Sequence, residues 1–216
     1  MTGRTGAGLS RLIAGLIVGT ALATGPAQAA AGDHPQLMPL RDAVVTYDVQ
    51  PDGAPAPQKV TVWFAAEGAR MRIDSPDGAA STLLDRTAQT VTILLHKQRI
   101  FSLLRQRSNI RNPFLLDVSM QFHKDGVRTV AGLACNDWAI TTAKGQASAC
   151  VTEDGLILSE SGVDADGAKG QLTALSVSYQ TIPASSFAPP AGYQEVVRHP
   201  VASAPEAAKP VLGPTP

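Results

Sequence analysis

Two neighbouring stretches, Ala43-Val-Val-Thr-Tyr-Asp-Val49 and Lys59-Val-Thr-Val-Trp-Phe64, decide the fold. In the first, Val45, Tyr47 and Val49 share one side; in the second, Val60, Val62 and Phe64 do. Period-two alternation marks half-buried β-strands, because successive side chains leave a strand on opposite faces. The intervening Pro51-Asp-Gly-Ala-Pro-Ala-Pro57 is a turn or short loop by composition. Downstream, Arg70-Met-Arg-Ile-Asp74 repeats the pattern with Met71 and Ile73 inward and both arginines outward. Asp77-Gly78 is a hairpin turn signal, and short strands follow over 81–85, 90–96 and 99–104.

Asn112-Pro113-Phe-Leu-Leu-Asp-Val-Ser-Met-Gln-Phe122 has a different rhythm. Phe114, Val118 and Phe122 recur every four residues, Asn112 can cap, and Pro113 suits a first helical turn. This predicts one short amphipathic helix; a further buried strand is the alternative. Strands resume over 127–131, 137–142, 147–152 and 156–160, and a last strong one over 172–180. Asp-Gly pairs begin at 52, 77, 125, 154 and 166. Spaced turn signals between short alternating strands predict an antiparallel β-meander.

The two ends read differently. Arg4 and Arg11, an apolar run over 12–24 and Ala27-Gln28-Ala29 form the n-region, h-region and cleavage signal of a signal peptide over 1–29. The run is short for a bilayer span, no cysteine marks a lipid attachment point, and no later run reaches membrane length. Residues 30–42 are expected to be a flexible leader, 43–198 the domain, and 199–216 a disordered Pro/Ala-rich tail. Cleavage removes Arg4 and Arg11 from a chain with 18 basic and 18 acidic side chains, leaving a net charge of about −2. Export and that charge argue against nucleic acid, and the expected location is the periplasm.

Cys135 and Cys150 are the chain's only cysteines. The segment between them reads as a hairpin turned at Lys144-Gly145, which brings the sulfurs near one another. An oxidising compartment favours a disulfide, with a loop-closure contribution of about 3 kcal/mol. Free buried thiols and a metal pair are the alternatives, though no His or further Cys sits at ligand spacing.

These residues together resemble a family. The meander from Tyr47, the mid-chain helix, Val130-Ala-Gly-x-x-Cys135, Cys150-Val-Thr-x-Asp-Gly155 and Ser186-Phe-x-Pro-Pro-x-Gly-Tyr193 look like an uncharacterised exported bacterial family. That family is similar to the periplasmic lipoprotein-carrier proteins LolA and LolB. The resemblance covers roughly residues 43–197. It implies a strongly curved, open antiparallel β-sheet, a half-barrel, with a short helix against its concave face.

Chemistry-bearing motifs are sparse. His34, His96, His123 and His199 are not at ligand spacing from one another, and no nucleophile-elbow, zinc-protease or phosphate-loop motif occurs. Asp48, Asp74 and Asp85 lie on strands and could converge, although strand-surface carboxylates commonly just face water. The expectation is no enzyme activity and no cofactor, with a hydrolase as the alternative. Cleavage after Ala31 would expose Gly32-Asp33-His34, an N-terminal pattern able to close a square-planar Cu(II) or Ni(II) site through His34. Cleavage after Ala29 removes that possibility. The leading functional expectation is a binding module whose apolar face takes a lipid-like ligand. Tyr47, Val62, Phe64, Met71, Ile73, Val91, Ile93 and Phe114 would line it. The alternative is an envelope interaction protein. Its contact would be the basic stretch over 86–111, with Arg99, Arg105, Arg107 and Arg111 meeting an anionic partner.

Overall fold

The computed structural model describes residues 34–105, 116–163 and 167–197, all within the compact unit Gly32–Pro216. The signal-peptide, tail, Phe114, Arg107 and Arg111 expectations lie outside the described residues. Twelve strands form one open, curved sheet. In chain order they are β1 (Ala43–Pro51), β2 (Gln58–Ala65), β3 (Arg70–Asp74), β4 (Ala80–Asp85), β5 (Thr90–Leu95) and β6 (Ile100–Arg105). Then come β7 (Gln121–Val130), β8 (Leu133–Thr142), β9 (Gly145–Val151), β10 (Ile157–Val163), β11 (Lys169–Tyr179) and β12 (Gln194–Glu195).

The spatial order is β12-β6-β5-β4-β3-β2-β1-β11-β10-β9-β8-β7. Two meanders, β1 to β6 and β7 to β11, meet where β1 pairs antiparallel with β11. Irregular register at Thr46/Tyr47, Lys124/Gly126 and Ile157/Ser159 supplies the bulges that bend such a sheet.

Two sequence expectations are corrected. Asp125-Gly126 is not a turn. It is the bulge inside β7, and the chain reverses at Ala131-Gly132, whose φ angles of 50° and 77° suit a two-residue hairpin. Nor do residues 116–122 form a helix. Met120 N–H bonds to Asp117 O at 3.1 Å and Ser119 N–H to Asp117 Oδ1 at 2.7 Å, so Asp117 makes a local turn. Val118 is 83% exposed, and Phe122 already belongs to β7, opposite Ile140. The four-residue spacing therefore links a solvated turn to a strand.

The leader, where described, is packed rather than loose. Pro39 is fully buried, and Leu40 N–H donates to Asp154 O at 2.8 Å. Gly155 has φ of 89°, and a Cβ there would collide with Met38 O. The Asp154-Gly155 turn thus seats the leader. A second segment, Ile182 to Val197, crosses the outer face. Ile182 N–H bonds Asp42 Oδ2, a 3-10 turn spans Ala184–Phe187, and β12 adds in parallel to the edge of β6.

Candidate functional site: the inner face

Register places the predicted apolar residues on one face. Val45, Val62, Ile73, Thr82, Ile93 and Ser102 form one cross-strand row, and Phe64, Met71, Leu84, Val91 and Leu104 the next. Tyr47 lies on the same side, two residues beyond Val45. The middle of this inner face is filled. Tyr47, Val62, Phe64 and Met71 are at most 1% exposed, and Leu37, Met38, Leu116 and Met120 join their cluster. Ile73, Val91 and Ile93 are half-buried. The Tyr47 hydroxyl donates to Ile157 O at 2.8 Å, and burial, then the Glu160 carboxylate, push its pKa well up.

The inner face is open at its two flanks. One cavity, of about 160 Å³, lies between Ile93, Leu95, Ile100, Ser102 and Leu104, with Val196 at its lip. The other, of about 200 Å³, lies where β1, β11 and β10 adjoin. Its cause is a gap in the rows. Val49, Leu172, Glu160, Ala149 and Trp138 are register partners, and so are Pro51, Gly170, Gly162 and Ala147. Two adjacent glycines leave the middle of the second row, between Pro51 and Ala147, without side chains. Both are required, because a Cβ on Gly162 would collide with Gln146 O, and one on Gly170 would sit 2.9 Å from Gln50 O. This cavity was missed from sequence. Gly162 and Gly170 are equidistant from the Asp166-Gly167 turn signal in the sequence, and antiparallel pairing of β10 with β11 sets them opposite each other.

A polar chain on the outer face was also missed. Asp74 accepts from Trp63 Nε1 at 3.0 Å, from Arg72 Nε at 2.7 Å and from Ser81 Oγ at 2.5 Å. Ser81 Oγ lies 2.7 Å from His96 Nε2, and His96 Nδ1 lies 2.8 Å from the Tyr193 hydroxyl. One placement of hydrogens satisfies every atom: Tyr193 donates to Nδ1, Nε2–H to Ser81, and Ser81 to Asp74. Arg72 Nη1 also donates to Ser186 O at 3.3 Å. The network ties the Ile182-to-Val197 segment to β3, β4 and β5, with Leu83 and Leu94 buried on the same face. It resembles a hydrolytic triad only in composition. Ser81 is 1% exposed, its proton is directed at Asp74, and the carboxylate orients the serine rather than the histidine. Asp85 pairs instead with Arg70, so Asp74 and Asp85 do not converge.

The remaining predicted residues disperse. Arg99 and Arg105 flank opposite ends of β6, about 20 Å apart at a strand's rise per residue. Arg99 lies against Gly192. His34 contacts the Phe122 ring and bonds to Pro35 O, while its two suggested co-ligands fall outside the described residues. No cluster of three or more metal-ligating side chains occurs among the described residues. Cys135 and Cys150 form a disulfide, Cα to Cα 5.4 Å, across β8 and β9. Beside it Arg128 bridges Asp137 at 2.6 Å and Ser159 at 2.6 Å. Among the described residues no helix is long and apolar enough to cross a membrane, which says nothing of strands.

The chain matches no protein-family profile and no curated protein. Among solved structures it is similar to an uncharacterised conserved protein from Thermus thermophilus, at 11% identity over 73% of this chain and 91% of that one, TM-score 0.49. It is similar to MucB at 17% identity over 72% of this chain and 60% of that one, TM-score 0.48. It is also similar to an outer membrane lipoprotein-sorting protein domain from Vibrio parahaemolyticus, at 10% identity over 68% and 89%, TM-score 0.37. The strand order, an open curved sheet built from two meanders, is the half-barrel architecture that the LolA/LolB resemblance implied.

Proposed function

We propose that this chain is the non-catalytic binding module of an exported protein, and that it takes the apolar part of a lipid-like ligand at the flanks of its inner face. The observation carrying this reading is the pair of flank cavities, each of which presents a mainly apolar surface. At about 160 and 200 Å³ they fall below the roughly 300–1,000 Å³ of pockets that enclose drug-sized ligands. They suit a short length of alkyl chain rather than a whole amphiphile. The buried disulfide supports an oxidising compartment. The polar chain supports a non-catalytic role, because its serine is sequestered and fully hydrogen-bonded.

The test is native mass spectrometry of the envelope-purified protein, followed by titration with an environment-sensitive alkyl fluorophore. Leu95 is 38% exposed at the rim of the β5–β6 cavity, so Leu95→Glu places a charge there at little cost to the core. Probe affinity is expected to fall several-fold with an unchanged melting temperature. Equal affinity in wild type and variant removes the β5–β6 cavity from the reading. No bound or added alkyl ligand at all defeats the reading as a whole.

A further inference from the structure

We infer that the cleft between the leader, the β7–β8 hairpin and the Asp154-Gly155 turn binds a free aliphatic α-amino acid, with Arg41 taking its carboxylate and Asp154 its ammonium. This cleft shares no lining residue with either flank cavity, so the inference goes beyond the alkyl-chain reading and does not rest on it.

Leu40 N–H donates to Asp154 O at 2.8 Å, which holds Arg41 beside the turn. The Arg41 guanidinium lies over the Tyr179 ring, 3.7 Å from its centroid, and its Nη1 stands 3.7 Å from Asp154 Oδ2. That is an ion pair too long to be a hydrogen bond. The carboxylate is bonded at one oxygen only. Oδ1 accepts from the Thr152 and Tyr179 hydroxyls, while Oδ2 is buried and, among the described residues, accepts from no donor. Nor does any N–H of Arg41 donate to an acceptor among the described residues. A guanidinium and a carboxylate that adjoin without bonding leave a donor fork and an acceptor unspent. A buried acceptor in that condition calls for a donor.

The cleft beside this pair measures about 550 Å³, within the roughly 300–1,000 Å³ of pockets that enclose small ligands. Its apolar wall is Leu133 and Val127, the latter 68% exposed. Asn136, the register partner of Val127, and Glu153 complete the polar lining. The charged lining residues are therefore Arg41, Glu153 and Asp154. A lone carboxylate would be repelled by the two acids, and a lone amine by Arg41. An α-amino acid carries both charges on one carbon, which suits opposite charges 3.7 Å apart. The guanidinium fork matches the two oxygens of a carboxylate. The Arg41 side chain is 59% exposed, and its head can turn outward onto a carboxylate without breaking a hydrogen bond. That turn bares Oδ2 to the ammonium, and the aliphatic side chain of the ligand covers Val127 and Leu133.

The experiment titrates L-leucine, isocaproate, isopentylamine and glycine into the full chain, followed by NMR shift changes at Asn136 and Glu153. Isocaproate is leucine without its ammonium, isopentylamine is leucine without its carboxylate, and glycine lacks the side chain. Wild type is expected to bind leucine about tenfold more tightly than any of the other three, since each lacks one of the matched contacts. In Arg41→Gln, leucine affinity should fall to that of isopentylamine, with isopentylamine itself no weaker than in wild type. Arg41→Lys, which keeps the charge and loses the fork, should fall between. Isocaproate or isopentylamine binding as tightly as leucine overturns the inference, and so does leucine affinity that survives Arg41→Gln. Glycine equal to leucine overturns the aliphatic class, and no shift with leucine removes the cleft as a site. The flank-cavity reading stands or falls separately, on the alkyl fluorophore.

Discussion

Replacing Ser81 with alanine should uncouple the Ile182-to-Val197 segment from the sheet. The serine hydroxyl stands 2.5 Å from Asp74 Oδ1 and 2.7 Å from His96 Nε2, and the residue is 1% exposed. A hydrogen bond to a charged group contributes about 1.5–3 kcal/mol, and a desolvated donor left without an acceptor costs about 1–3 kcal/mol. Asp74 keeps its bonds from Trp63 and Arg72, so its carboxylate is not stranded. The low end of each range then applies, and Ser81→Ala should cost about 2.5 kcal/mol. For a domain of this size that lowers Tm by about 5–10 °C. Urea unfolding measures the free energy. Amide exchange measures the segment itself, through Gln194 N–H, held by Arg99 O at 3.0 Å, and Val196 N–H, held by Phe101 O at 2.7 Å. Both should exchange faster in the variant. Tyr193→Phe deletes one bond of the chain and should cost about 1 kcal/mol while speeding the same amides. A loss below about 1 kcal/mol for Ser81→Ala, or unaltered exchange at Val196, would refute the reasoning.

Gly155→Ala should destabilise by at least about 3 kcal/mol, since it adds left-handed backbone strain to a collision with Met38 O, and urea titration checks it. Replacing both Cys135 and Cys150 with alanine should cost about 2–5 kcal/mol; peptide mapping without reductant should show the bridged pair in wild type. Tyr179 predicts an alkaline limit. Burial first, then the hydrogen bond to Asp154, raise its pKa from 10.0 to about 12. A raised acid favours the folded state while protonated. Its contribution is therefore complete below about pH 10 and is lost as pH rises towards 12. Urea midpoints should fall across that window, and Tyr179→Phe should flatten part of the decline.

Much of the β1-to-β6 meander was legible because each strand there is polar on one side and apolar on the other. Val45, Val62 and Ile73 announce their common face by period two alone, and register only had to align them. The helix expectation failed because a four-residue spacing is weak evidence over so short a stretch. Val118 faces water and Phe122 pairs in β7, where the ladder with β8 outweighs local helical preference. Asp125-Gly126 misled for a related reason. The pair names a conformation that suits hairpin turns, and β7 uses it as a bulge instead.

The site divides along the same line. Local chemistry determined which residues alternate, where most turns fall, and that two cysteines in a hairpin could bridge. Those properties depend on neighbours within a few positions, and the chain displays them openly. Tertiary structure alone decided that the middle of the inner face is full and its flanks open. It also decided that Gly162 meets Gly170 to empty a row, and that Asp74, Ser81, His96 and Tyr193 join into one chain. These are contacts between residues up to 97 positions apart, at His96 and Tyr193. They exist only once strand pairing and sheet curvature have set which side chains share a row and which segment crosses above them, and pairing over such distances leaves no periodic trace in the sequence.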